Sequence, residues 1–221
     1  MSEAEAVATR AERRWPMALA VLAAAGLTVV TPTAGRLPGW WIVPVLELVL
    51  LVVVILVDPG RVDNVSRRAR RISFALITVM TVGTMASLSW LTYEILRGTS
   101  LTANDLLGRG GALWLTNVIA FSLWFWELDR GGPAKRAAGS DNPISFAFPE
   151  NAMPEFADAG WIPKYPDNLY LSFTNATAFS PTDTLPVRTW AKMAMMLESV
   201  VSLLTAILVV ARAVNVFKGT G

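Results

Sequence analysis

At 221 residues, 53% hydrophobic and 16% charged, with a mean hydropathy of +0.46, the chain is too apolar for an ordinary soluble domain. It has no cysteine and no histidine, which removes disulfides, thiolate and imidazole metal sites and the commonest general base, so neither an enzyme nor a cofactor or metal centre is expected. The net charge of +2 forms no basic stripe for nucleic acid, because the positive residues gather beside apolar segments.

A polar start ending in Arg10, Arg13 and Arg14 precedes an alanine-rich apolar run, Trp15 to Val30, the first expected span. A cleaved signal peptide has a similar start but precedes a soluble domain, whereas here a second apolar run follows. Pro32, Gly35, Pro38 and Gly39 predict a tight turn, and Trp40 and Trp41 mark an interface. Span two, Ile42 to Val57, stops at Asp58-Pro59-Gly60, and Glu47 beside the two tryptophans is expected to snorkel to the interface. Arg61, Arg67, Arg68, Arg70 and Arg71 form the densest positive cluster. Span three is expected from Ile72 to Leu96, with a small, weakly polar side suited to helix packing in lipid. A glycine-containing loop through Gly98, Gly108, Gly110 and Gly111 leads to span four, Ala112 to Leu128. Residues 129–166 are rich in proline and read as a linker after a four-span region, 1–128. The last part, 167–221, holds a short half-apolar helix, Asp167 to Phe179, a loop, and a long final helix from Arg188 to Phe217 carrying span five.

Five crossings with the N-terminus inside leave Arg36, Arg97, Arg109, Arg212 and Lys218 outside and the other 14 of the 19 positive residues inside. The positive-inside rule therefore predicts a multi-pass cell-membrane protein with a cytoplasmic N-terminus.

Residues 167–217 resemble the pore module of bacterial two-span potassium channels. Asp167-Asn168-Leu169-Tyr170-Leu171-Ser172-Phe173 is similar to that family's pore-helix start, Asp183 and Pro186 stand where it has an aspartate and proline after the filter, and Leu197-Glu198 with Val209-Val210-Ala211-Arg212 is similar to its inner helix. The resemblance implies a filter-like segment over Thr177, Ala178, Phe179, Ser180, Pro181, Thr182 and Asp183, cations as candidate ligands, and a homo-tetramer around a shared axis. Both filter glycines are replaced, by Ser180 and Thr182, and Pro181 fixes its own φ, so a potassium-selective carbonyl ladder is not expected. The order of spans also resembles a family of uncharacterised bacterial integral membrane proteins, a domain of unknown function, which implies a fold and no activity.

Glu198, Ser202, Thr205, Val209 and Arg212 recur every three or four residues and share one face of the last helix. Such a stripe meets either a hydrated path or another helix, and Glu198 is the ionisable group expected at depth, as a path residue or as a structural partner. Asp183 serves either a pore mouth or the cap of the last helix. The expectation is an all-α polytopic membrane protein of about five transmembrane helices plus a re-entrant or interfacial helix. Its function reads as a channel-like lining of an ion or small-solute path, or alternatively as a non-conducting scaffold in the bilayer.

Overall fold

The computed structural model describes residues 11–31, 36–58, 66–98, 101–158, 160–178 and 183–219. In chain order these form α1 (Trp15–Val30), α2 (Ile42–Val57), α3 (Arg67–Leu96), α4 (Ala103–Leu128), α5 (Pro133–Ala137), β1 (Phe146–Ala147), α6 (Pro149–Ala152), α7 (Tyr165–Ala178), β2 (Leu185–Pro186) and α8 (Thr189–Gly219). Among the described residues all regular structure is helical except one short antiparallel pairing, Phe146 with Pro186 and Ala147 with Leu185.

Among the described residues three helical stretches are long and apolar enough to cross a bilayer: Arg67–Leu96, Ala103–Gly131 and Thr189–Arg212. α1 and α2 have 16 residues each, about 24 Å at 1.5 Å per residue, against a hydrocarbon core of roughly 30 Å. Their hydropathy made them candidate spans, but the turn over Pro38 to Trp41, with Gly39 at φ 73°, delays the start of α2 to Ile42.

Helix starts follow local side-chain chemistry. Ser66 Oγ accepts the Ala69 N–H at the start of α3. Thr102 Oγ1 accepts the Asp105 N–H while Asp105 Oδ2 accepts the Thr102 N–H, both at 3.1 Å, a capping box that starts α4 at Ala103. Gly108, Gly110 and Gly111, expected in a loop, therefore lie inside α4. At Gly110 the reason is packing: a Cβ there would stand 2.4 Å from Val209 Cγ2, so α4 and α8 approach closely only over a glycine.

α4 is the central helix. In its candidate span 61% of residues are buried, against 33% in α3 and in α8. α1 and α3 pack on one side of it, α2 packs on α1 and α3, and α7 and α8 cover the other side. The outward faces of α2 and α8, with Val45, Val49 and Val52 or Met196, Val200 and Ile207, are aliphatic and exposed.

Residues 129–166, expected as a linker, are folded onto the helix ends. Arg130, Gly131 and Gly132 take φ of 49°, 81° and 100° and reverse the chain after α4. The Arg136 guanidinium then donates through Nη1 to the carbonyls of Trp126 and Asp129 at 2.7 and 2.9 Å, closing the end of α4. Phe146 and Phe148 are buried with Phe121, Phe125, Leu171 and Met195. Before α1, the Glu12 carboxylate accepts from Trp126 Nε1 and the Tyr165 N–H, each at 2.7 Å, and so ties the start of the chain to α4 and α7.

Candidate functional site

The polar stripe of the last helix is buried inside the protein. Glu198, Ser202 and Thr205 face α4 and α7. Asn175 Nδ2 donates to Glu198 Oε2 at 2.7 Å, and Ser172 Oγ bonds Glu198 Oε1 and lies 2.7 Å from the Val118 carbonyl. Asn117 Nδ2 donates to Ser202 Oγ at 3.1 Å, and the Thr205 hydroxyl returns to its own helix at the Val201 carbonyl. Among the described residues no cation forms an ion pair with Glu198. The stripe is thus a hydrogen-bonded three-helix junction, and Arg212, half-buried, stands beyond it. The sequence does not tie Asn117, Ser172 or Asn175 to Glu198, and Ser172 enters it only as part of the pore-helix resemblance. Ser172 and Asn175 lie three apart on α7, a spacing that places them on one face, but nothing local pairs them with Glu198.

Of the filter-like segment, Thr177 and Ala178 are exposed at the end of α7, and Phe179, Ser180, Pro181 and Thr182 lie outside the described residues. Asp183 is exposed and stands six residues before Thr189, because Leu185–Pro186 intervenes as β2.

A second arrangement lies in the α1–α4 bundle, where, among the described residues, two cavities with charged side chains on their walls lie toward opposite ends. Glu47 does not snorkel. It shares a buried face of α2 with Pro44, Leu51 and Val54, is 1% exposed, and its Oε2 has no hydrogen-bond partner among the described residues. The spacing 44, 47, 51, 54 is the helical signal that points it inward, and it outweighs the adjacent tryptophans. Glu47 lines a cavity of about 70 Å³ near the C-terminal end of α1, with Thr28, Thr84, Ser87 and Thr116 as hydroxyl neighbours and Arg36 and Arg109 also on the wall.

The other cavity, about 270 Å³, lies at the N-terminal end of α1, among Arg14, Asp58, Arg70, Ser73, Glu127 and Lys135. Arg14 pairs with Asp58, and Arg70 Nε stands 4.0 Å from Glu127 Oε2.

One face of α3 runs through both cavities. Ser73 lines one and Met80 the other, and seven residues of helix separate them by about 10 Å. Leu76 and Ile77, between these two, join Val21, Leu51, Val54 and Leu123 in a buried aliphatic layer. Such a layer resists wetting, whereas charged and hydroxyl-lined cavities hold water. Chemically, the arrangement gives cavities with charged groups on their walls at two ends of a bundle and an aliphatic layer between them.

Compared with protein-family models, curated proteins and solved structures, the chain has no match.

Proposed function

We propose that this is a multi-pass membrane protein that carries an ion or small solute through the α1–α4 bundle, closed in the present conformation by the aliphatic layer between its two cavities. The observation that carries this reading is the pair of cavities with charged side chains on their walls that meet one face of α3 at Ser73 and at Met80, about 10 Å apart along the helix. α1 and α2 cross as the fourth and fifth spans, with lipid on their exposed aliphatic faces and local thinning of the bilayer meeting their shorter length. The arginines around Arg14 and Arg67 to Arg71 put the Ser73 cavity on the cytoplasmic side by the positive-inside rule, and the Glu47 cavity on the other. Glu47, a buried ionisable group whose Oε2 has no hydrogen-bond partner among the described residues, is the residue assigned to contact the solute. The path expected in residues 167–221 moves to α1–α4 in this reading; α7 and α8 brace α4, and the path needs no shared axis between subunits.

The alternative, a non-conducting scaffold in the bilayer, is favoured by the closed hydrogen bonding of Glu198, which leaves α8 an apolar outer face suited to another helix. Flux into proteoliposomes decides between them. Ile77→Thr places a hydroxyl in the closure, and the expected result is at least a ten-fold rise in ion or small-solute flux over wild type, reduced again when Glu47→Gln is added. Folded Ile77→Thr protein with flux no greater than that of empty liposomes overturns the path.

A further inference from the structure

We propose that the cavity at the N-terminal end of α1 binds a dianionic phosphate group, free or at the head of a lipid. Its wall carries four cations, Arg14, Arg67, Arg70 and Lys135, against two carboxylates, Asp58 and Glu127. Both acids are already engaged. Asp58 is held by Arg14, while Glu127 accepts the Ser73 hydroxyl and lies in the fields of Arg14, Arg70 and Arg136. Arg67 and Lys135, in contrast, form no ion pair among the described residues. The wall therefore has a surplus of two positive charges, and a phosphate group with one ester bond or none carries about −1.5 to −2 near pH 7.

The chain reversal after α4 brings two of these cations to one place. Lys135 Nζ lies 3.6 Å from where a Cβ on Gly131 would stand, and Arg70 Nε lies 3.8 Å from where a Cβ on Gly132 would stand. Adjacent Cα atoms are about 3.8 Å apart, so both charges border the same short stretch of backbone without side chains. Arg14, 5% exposed, and Arg70 each keep an Nε without a hydrogen-bond partner among the described residues. Guanidinium forks match the oxygens of a phosphate, and a lysine ammonium adds three rotatable donors. Ser66, Arg67 and Ala69 also line the cavity, so the first turn of α3 adds the positive end of a 30-residue helix. The volume of about 270 Å³ exceeds several-fold the space of a phosphate, about five atoms at roughly 10–15 Å³ each, and leaves room for water or an ester group. In the orientation proposed above the cavity faces the cytoplasm, the side on which basic pockets between membrane helices take lipid headgroups.

The site shares its cavity with the proposed path and stands or falls on binding alone. Calorimetry of the purified full-length protein in detergent at constant ionic strength tests it, with sodium phosphate, sodium acetate and phosphatidic acid in mixed micelles as separate probes. Wild type is compared with Arg67→Gln/Lys135→Gln and with Arg68→Gln/Arg71→Gln; Arg68 and Arg71 are exposed and off the cavity wall, so the second pair removes the same charge elsewhere. The expected result is saturable binding of phosphate or phosphatidic acid to wild type, with acetate weaker by about ten-fold or more. Affinity falls about ten-fold or more in Arg67→Gln/Lys135→Gln, the loss expected for one charge-assisted hydrogen bond, and stays within about two-fold in Arg68→Gln/Arg71→Gln. Displacement of bound phosphate by phosphatidic acid assigns the site to the lipid headgroup, and its absence assigns the site to the free ion. Failure of both phosphate probes to bind wild type overturns the proposal, as does acetate binding as tightly or an equal loss in the two double variants, the mark of a diffuse basic surface. Where Arg67→Gln/Lys135→Gln does not fold, Ala134→Cys on the same wall supplies the test in otherwise wild-type protein: phosphate or phosphatidic acid should slow its reaction with a small thiol reagent about ten-fold, and an unslowed reaction overturns the site. Phosphate binding without flux overturns the path and leaves this site standing, and flux without phosphate binding does the reverse.

Discussion

Replacing Glu198 discriminates between a hydrogen-bonded junction and a buried ion pair. Glu198 Oε2 accepts from Asn175 Nδ2, Oε1 bonds Ser172 Oγ, and Ser172 has the Val118 carbonyl as a second partner. In Glu198→Gln the amide oxygen can take the Asn175 bond while the amide N–H donates to Ser172, whose own proton goes to Val118. Every polar group keeps a partner, so the cost should stay under about 1 kcal/mol. Glu198→Ala differs. Ser172 and Asn175 retain the carbonyls of Val118 and Met195, but the lost side chain leaves a void at the α4, α7 and α8 junction, and the cost rises to about 2–4 kcal/mol. Equilibrium unfolding in detergent, with wild type and both variants on one denaturant axis, reads the two values. A loss of about 3 kcal/mol or more in Glu198→Gln would contradict the reasoning, since that is the size expected when a buried cation loses its partner.

Gly110→Ala separates propensity from packing. Alanine gains about 1 kcal/mol over glycine in an open helix, but a Cβ 2.4 Å from Val209 Cγ2 should turn this into a net loss of about 1–3 kcal/mol, recovered in part by Val209→Ala in the same chain; a more stable single variant in unfolding assays would mean that α4 and α8 separate easily. Glu12 lies outside the spans, and burial, the largest cause, raises its carboxyl above the ordinary range against the opposing Tyr165 N–H, Trp126 indole and Arg136. The folded state then binds more protons than the unfolded one between the ordinary and the raised value, so stability falls as pH rises through that window. Glu12→Gln should flatten the pH dependence of the melting temperature there without abolishing it, because burial also raises Asp167, whereas an unchanged slope would refute this assignment.

Much of the helical frame can be read along the chain because its causes are local. The apolar runs mark the helices, Asp58 follows the last residue of α2, and the stripe from Glu198 to Thr205 shares one helix face. The start of α4 has a local signal too, Thr102 and Asp105 three apart, which the reading of the glycines as a loop passes over. What faces the stripe was not legible. Asn117 meets Ser202 across 85 positions of sequence and Ser172 meets Glu198 across 26, and periodicity reports a face without naming its neighbour. Glu47 was misplaced for a related reason: interface tryptophans describe where a helix enters lipid, while the burial of Pro44, Glu47, Leu51 and Val54 depends on α1 and α3 standing beside it. The two cavities exist only in the space shared by four helices, so no single segment announces them.

The central claim is that water reaches the α1–α4 bundle from both sides of the membrane and stops at one aliphatic layer. The chain has no cysteine, so single cysteines at Thr84, Ser73 and Val54 can be treated with a small impermeant thiol reagent applied to either face of sealed vesicles. The expected result is reaction of Thr84→Cys only from the face opposite the N-terminus, of Ser73→Cys only from the N-terminal face, and of Val54→Cys from neither until Ile77→Thr is added. Reaction of Thr84→Cys and Ser73→Cys from the same face, or of neither from any face, would contradict the claim.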